Sequence, residues 1–154
     1  MKEKEVLSQV YLFRELTPSE MDILISISKE KRVKKNEVIF KEGDIGDAFY
    51  MIVSGSVRIS TIVPGVGEEA LTILREGEYF GEMALIDDAP RSASAIANDD
   101  TILLVIDKED FRRLLAQDTG IAYKLLWVFT KTLSARLRKT DEQLKSIFSI
   151  AKTF

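Results

Sequence analysis

From Arg32 to Ile106 the chain is cut into short β-type apolar runs, most of them closed by a turn that contains glycine. Val38-Ile39-Phe40 leads into Glu42-Gly43-Asp44, Phe49 to Val53 ends at Ser54-Gly55, and Val57 to Val63 ends at Pro64-Gly65-Val66-Gly67. Ala70 to Leu74 stops at Glu76-Gly77-Glu78, and Ser92 to Ala97 and Thr101 to Ile106 follow. Runs this short, at regular turn spacing, predict a small antiparallel barrel or roll. The flanks read differently. Val6, Leu7, Val10 and Phe13 recur at helical spacing, and Thr17-Pro18-Ser19-Glu20 supplies a cap, a first-turn proline and the acid of a capping box. Met21, Leu24, Ile25 and Ile27 give that second helix its apolar side. Asp107 is placed to cap a helix over Lys108 to Ala116, and a last helix is predicted from near Gly120 to about Phe148. At about 1.5 Å per residue it would be roughly 40 Å long.

No Pro/Ser linker or low-complexity tract divides the chain. The expectation is one α+β, mainly β domain over 1–154, with helices in 1–30, an antiparallel β-roll or jelly-roll-like barrel over 31–107, and C-terminal helices over 108–150. A chain of 154 residues buries about 70% of its unfolded surface and needs no disulfide or metal staple. It contains neither Cys nor His. That double absence removes thiol nucleophiles, Ser-His-Asp triads, imidazole acid-base chemistry and the usual zinc sites, so a binding module without metal or cofactor is expected rather than an enzyme. A net charge of −3 leaves no general electrostatic footprint for nucleic acid. The Met1-Lys2-Glu3-Lys4-Glu5 start is charged and lacks the apolar run of a secretory signal, and no stretch approaches a membrane span. A cytoplasmic protein is expected.

The chemistry concentrates in Gly77 to Ala93. Between two strands this stretch inserts a piece with no β alternation, and its centre, Glu82 to Ile86, is long enough for little more than one helical turn. The N–H groups that open such a turn form an anion site, and Gly81 allows close backbone approach. Arg91 adds a permanently charged fork that matches two phosphate oxygens. Ser92 offers a hydroxyl and Ala93 an N–H. Glu82 would repel a phosphate unless it serves a neutral donor beside it. A ribose 2′-hydroxyl is such a donor, because an ionised carboxylate only accepts. A ligand without that hydroxyl would leave the carboxylate unpaired, at about 1–3 kcal/mol. An anion cradle next to a hydroxyl acceptor points to a nucleotide. The plainer alternative is an ordinary Glu82–Arg91 ion pair, with the short turn merely joining strands.

Phe80-Gly81-Glu82-Met83-Ala84-Leu85 followed by Pro90-Arg91-Ser92-Ala93 resembles the phosphate-binding cassette of cyclic-nucleotide-binding domains. That family includes the bacterial catabolite activator protein and the regulatory subunits of cyclic-AMP-dependent protein kinase. Gly43-Asp44, Tyr50, Ile52, Gly55 and Val57 also match its β-roll pattern, so the resemblance covers nearly the whole chain. It implies that Glu82 binds the 2′-hydroxyl and that Arg91 and Ser92 bind the cyclic phosphate. Gly81, Met83, Ala84 and Ala93 would supply backbone or wall contacts. The implied ligand is cyclic AMP, with cyclic GMP as the alternative.

Along the last helix Leu126, Thr130, Leu133, Leu137, Thr140, Leu144, Ile147 and Ala151 alternate steps of three and four. Such a heptad seam predicts a parallel homodimer, as in the activator-type relatives that the chain resembles. The alternative is a single amphipathic helix on its own roll, which Ile121, Leu125, Val128 and Phe129 require in any case. Thr140 fits the seam poorly, since a polar group there needs a partner. In the resemblance Thr140-Asp141 falls where activator-type members contact the adenine, although Asp141 replaces a serine; a plain polar seam position is the alternative.

Three other features are set aside. Lys29 to Lys35 reads as a solvated strand edge, and Arg136, Arg138 and Lys139 as helix-surface charge. Tyr79, Phe80 and Trp127 read as core or pocket wall. No helix-turn-helix follows the long helix before Phe154, so no direct nucleic-acid binding is expected. The chain would be a free-standing sensor or the amino-terminal part of a longer regulator. A scaffold that kept the roll and lost the ligand is the competing function. In the sensor reading, phosphate docking draws the short turn inward and repositions the long helix, an effect that requires different affinities for the two arrangements.

Overall fold

The computed structural model describes residues 2–153; Met1 and Phe154, both named in the reading above, lie outside them. Helix α1 (Lys2–Gln9) and a 3-10 turn (Tyr11–Phe13) lead to α2 (Pro18–Ile27). The Thr17 hydroxyl accepts from the Glu20 N–H while the Glu20 carboxylate accepts from the Thr17 N–H, so the expected capping box is present. Eight strands follow: β1 (Ser28–Val33), β2 (Val38–Phe40), β3 (Ala48–Ser54), β4 (Ser56–Val63), β5 (Gly67–Arg75), β6 (Tyr79–Phe80), β7 (Ser94–Ala97) and β8 (Thr101–Asp107). Helix α3 (Met83–Ile86) sits between β6 and β7, and α4 (Lys108–Gln117) and α5 (Thr119–Thr153) close the fold.

The strands form two antiparallel sheets of four, in the orders β1-β8-β3-β6 and β2-β7-β4-β5. Strand β3 shows why two layers are needed. Its successive side chains point to opposite faces, and both faces are apolar. Phe49, Met51 and Val53 turn to a core shared with α1, α2, α4 and α5, while Ala48, Tyr50 and Ile52 turn to a second core against β4 and β7. The central strand is thereby buried on both sides and fixes the helices on one face and the other sheet on the opposite face.

Several boundaries differ from those expected. β1 begins at Ser28, so the opening helical region is shorter than 1–30; it lies at a sheet edge, as its lysines suggested. β6 is two residues long, too short for any periodic signal, and was not expected. β7 starts at Ser94 because Ser92 and Ala93 belong to the cavity described below. Asp107 occupies the α4 cap position, but its carboxylate takes Lys29 Nζ at 2.9 Å and makes no cap bond.

Helix α5 runs for 35 residues, about 52 Å. Ile121, Leu125, Val128 and Phe129 are buried, and together they anchor its first third to the helical core. Beyond them the helix leaves the roll, and Leu133, Leu137, Leu144 and Ile147 are exposed. Trp127 is exposed as well, with Lys131 Nζ 5.7 Å from its ring centroid, and is neither core nor pocket wall: its position turns it away from the buried stripe. Among the described residues no helix is long and apolar enough to cross a membrane.

Candidate functional site

A single turn such as α3 is far too short to be stable alone, so its surroundings must hold it. Leu85 is buried in the helical core. Ala84 packs against Gly46 so closely that a Cβ on Gly46 would lie 2.4 Å from the Ala84 Cβ. At the far end Lys108 Nζ donates to the Asp87 carbonyl at 2.7 Å and to Asp88 Oδ1 at 2.6 Å. The hydrogen bond from Lys108, with the charges of Lys108 and Arg112, holds the Asp88 carboxyl below its ordinary range. Apolar burial at one end and a lysine clamp at the other fix the turn.

The turn borders a cavity of about 480 Å³. Gly81, Glu82, Met83, Ala84, Arg91, Ser92 and Ala93 all line it, which brings together seven of the eight expected site residues. Thr140 is not among the lining residues. Its hydroxyl donates to the Arg136 carbonyl at 3.0 Å, so the partner that a seam threonine needs is found inside its own helix. Phe40, Ile59, Thr72 and Leu74 form a wall from β2, β4 and β5. The sequence reading missed this wall: Val57-Arg58-Ile59-Ser60 in β4 alternates and carried a signal for Ile59, but β5 is apolar on both faces and gave none for Thr72 and Leu74.

Arg91 is 7% exposed. Its Nη2 donates to the Ala48 carbonyl at 2.8 Å and its Nη1 to the Gly81 carbonyl at 3.1 Å. The guanidinium lies over Phe40, 4.1 Å from the ring centroid. Its Nε is buried without a hydrogen-bond partner. The nearest carboxylate oxygen, on the highly exposed Asp47, is 4.0 Å away. Burial lowers the Arg91 pKa from its ordinary value, with Tyr50 and the nearby carboxylates acting in the opposite sense; an arginine nevertheless remains charged. A buried cation held by neutral carbonyls is a costly arrangement unless an anion completes it. Gly81 makes the geometry possible. Its φ is +78° and a Cβ there would sit 2.8 Å from Arg91 Nη1, so both backbone shape and space favour glycine.

Glu82 does not pair with Arg91, so the plain ion-pair alternative is absent. Its Oε1 accepts from Arg136 Nη1 at 2.9 Å, linking α3 to α5. Arg136 therefore lines the cavity and is more than helix-surface charge. Nothing local marks it, because the two residues are 54 positions apart. The resulting site has a cation without a close acid at one end and an acid neutralised by a second arginine at the other. Such a pairing of groups can receive an anion and a hydroxyl side by side.

A family model described as "Cyclic nucleotide-binding domain" matches residues 30–118. The "Cyclic AMP receptor protein" of Thermus thermophilus is 38% identical over 133 residues, 86% of this chain and 60% of that protein. The crystal structure of the catabolite activator protein of the same organism superposes with a TM-score of 0.76 at 37% identity, covering 89% of this chain and 62% of that one. A co-crystal structure of the regulatory domain of Toxoplasma gondii PKA with cAMP gives a TM-score of 0.68 at 27% identity, covering 73% and 42%. The chain thus spans less than two thirds of the length of these relatives.

Proposed function

The chain belongs to the cyclic nucleotide-binding domain family, and on that premise we propose that it is a cytoplasmic sensor module for cyclic AMP that binds its ligand without transforming it. The observation that carries this reading is Arg91, a buried guanidinium bordering a nucleotide-sized cavity with no acid closer than 4.0 Å. The cyclic phosphate docks on Arg91, the Ser92 hydroxyl and the Ala93 N–H, and the 2′-hydroxyl donates to Glu82. Gly81, Met83 and Ala84 line the sugar-phosphate end. Arg136 holds the Glu82 charge where it can accept that bond and offsets its repulsion of the phosphate. Cyclic AMP is favoured over cyclic GMP by the ligands named for the two relatives above.

The ligand also acts on α5. Because Glu82 is tied to Arg136, tightening the cassette around a ligand draws the long helix with it, and Thr140, one turn beyond Arg136, then approaches the base. The exposed seam pairs two copies of the chain through α5. Within a longer regulator the same movement would be handed on to whatever is joined to the helix.

Isothermal calorimetry with cyclic AMP, cyclic GMP and 2′-deoxy cyclic AMP tests the reading on wild type and Arg91→Ala. Wild type is expected to bind cyclic AMP, with the 2′-deoxy analogue weaker by about 1–3 kcal/mol. Arg91→Ala is expected to lose about a hundredfold or more in affinity, the scale of a bidentate charged contact in a dry site. No heat from wild type with any nucleotide defeats the proposal and leaves a scaffold that works through α5.

A further inference from the structure

The seam of α5 can be written in heptad letters. Leu126, Leu133, Thr140 and Ile147 take position d, and Thr130, Leu137, Leu144 and Ala151 take position a. This register sorts the charges of the helix. Lys124, Lys131, Arg138, Lys145 and Lys152 all fall at b, outside the flanks that face a partner. Position g holds Phe129, Arg136, Gln143 and Ile150, and position e holds Trp127, Ser134, Asp141 and Phe148. The seam is therefore flanked by one cation and one anion. They are five residues apart, the offset at which a g residue meets the e residue of a parallel partner.

Arg136 is also the residue that reaches Glu82 in the cavity. Only its Nη1 is used there, its side chain is 52% exposed, and a guanidinium has five N–H donors. Asp141, by contrast, makes no ion pair among the described residues. The two alternative helix directions give different outcomes. With one helix reversed, the e flank of Asp141 lies against the e flank of its partner, which holds no cation.

Within the parallel α5 homodimer proposed above, we propose that Arg136 bridges Glu82 of its own cavity to the partner's Asp141. The inference rests on the α5 homodimer proposed above and not on the identity of the nucleotide. It makes the partner chain a supporter of the ligand site: the arginine that neutralises Glu82 is itself steadied across the seam, once in each direction. Dimer register and cavity electrostatics are then set by the same side chain. The b-position cations stay clear of the interface, so the pairing brings no row of like charges together.

The test is charge exchange between chains, read by sedimentation equilibrium without nucleotide. R136E alone and D141K alone each set like charges against one another at both contacts, and each is expected to weaken the dimer by about tenfold. Mixing the two variants produces a heterodimer in which both contacts are again opposite in sign, and its affinity is expected to return to within a few-fold of wild type. Asp141 is not a lining residue of the cavity, so D141K tests the interface without removing the Arg136–Glu82 contact within its own chain. A mixture no tighter than its components overturns the proposal, as does D141K dimerising like wild type or a wild type that remains monomeric. A wild type that dimerises, responds to the exchange and binds no nucleotide supports this inference while defeating the sensor reading.

Discussion

The two ends of the cavity are built on opposite principles. At the Arg91 end the charge is buried, fixed by two carbonyls and a ring, and fitted against two glycines. At the Glu82 end the charge belongs to an ion pair whose arginine is half in solvent and rides on the part of α5 that lies beyond the buried anchor at Phe129. A dry, over-determined cation is a fixed docking point, with its geometry settled before any ligand arrives. A wet ion pair between two elements is weakly held. In the proposed sensor the contrast would separate binding from response: the Arg91 end would supply affinity for the phosphate, and the Glu82–Arg136 end would carry the movement.

The strongest way to break this contrast is to disturb the fixed end. Gly46→Ala places a methyl 2.4 Å from the Ala84 Cβ and 3.3 Å from Arg91 Cζ. Both neighbours are themselves buried. The variant is expected to lose about 1–3 kcal/mol of stability, read as a lower melting temperature, and most of its nucleotide affinity. An unaltered melt with full binding would show that the Arg91 end is softer than its packing implies.

A smaller effect is expected at the other end. In the proposed complex Arg136→Ala would leave Glu82 uncompensated beside the phosphate, and the affinity for cyclic AMP is expected to fall by about 1 kcal/mol. The loss should shrink as salt is raised, because screening weakens the repulsion that the arginine had offset. Titrations at low and high ionic strength check this. A loss as large as that of Arg91→Ala, and indifferent to salt, would make the two ends equivalent.

The smallest effect concerns the root of α5. Lys124 Nζ reaches Glu20 Oε1 at 2.6 Å, tying α5 to α2. The hydrogen bond from Lys124, followed by that from the Thr17 N–H, lowers the Glu20 pKa. A lowered carboxyl pKa stabilises the fold above the unfolded value of about 4.3, and that contribution is lost as pH falls through the lower folded value. Glu20→Gln is therefore expected to cost roughly 0.5–1 kcal/mol at neutral pH, with the difference from wild type closing in acid. Denaturant melts at neutral and acidic pH measure it. A gap that persists unchanged in acid would mean that shape rather than charge holds the helix root.

Much of the fold can be read directly from local residues. The capping box at Thr17 and Glu20, the glycine-closed strands and the single turn after Gly81 each follow from contacts within a few positions. So do the seven cavity residues of Gly81 to Ala93, which lie within thirteen positions of one another. β6 escaped because two residues carry no period. Trp127 was misplaced because the helical stripe that buries Val128 and Phe129 turns its neighbour outward. Of the wall from β4 and β5, only Ile59 was readable from alternation, because β5 has apolar residues on both faces.

The amino-acid order by itself thus determined the longer strands, the Thr17–Glu20 capping box, the single turn after Gly81 and the heptad pattern of α5, since backbone preference and side-chain period act over short distances. The tertiary structure alone decided which charges meet. That Arg91 is held by Ala48 and Gly81, that Lys108 clamps the end of the short turn, and that Arg136 rather than Arg91 answers Glu82 depend on how α4 and α5 dock on the roll. That docking is set by the burial of Phe111, Ile121, Leu125 and Val128. Hydrophobic burial is non-directional and specifies no charge partner; the ion pairs are settled only when packing brings distant segments together.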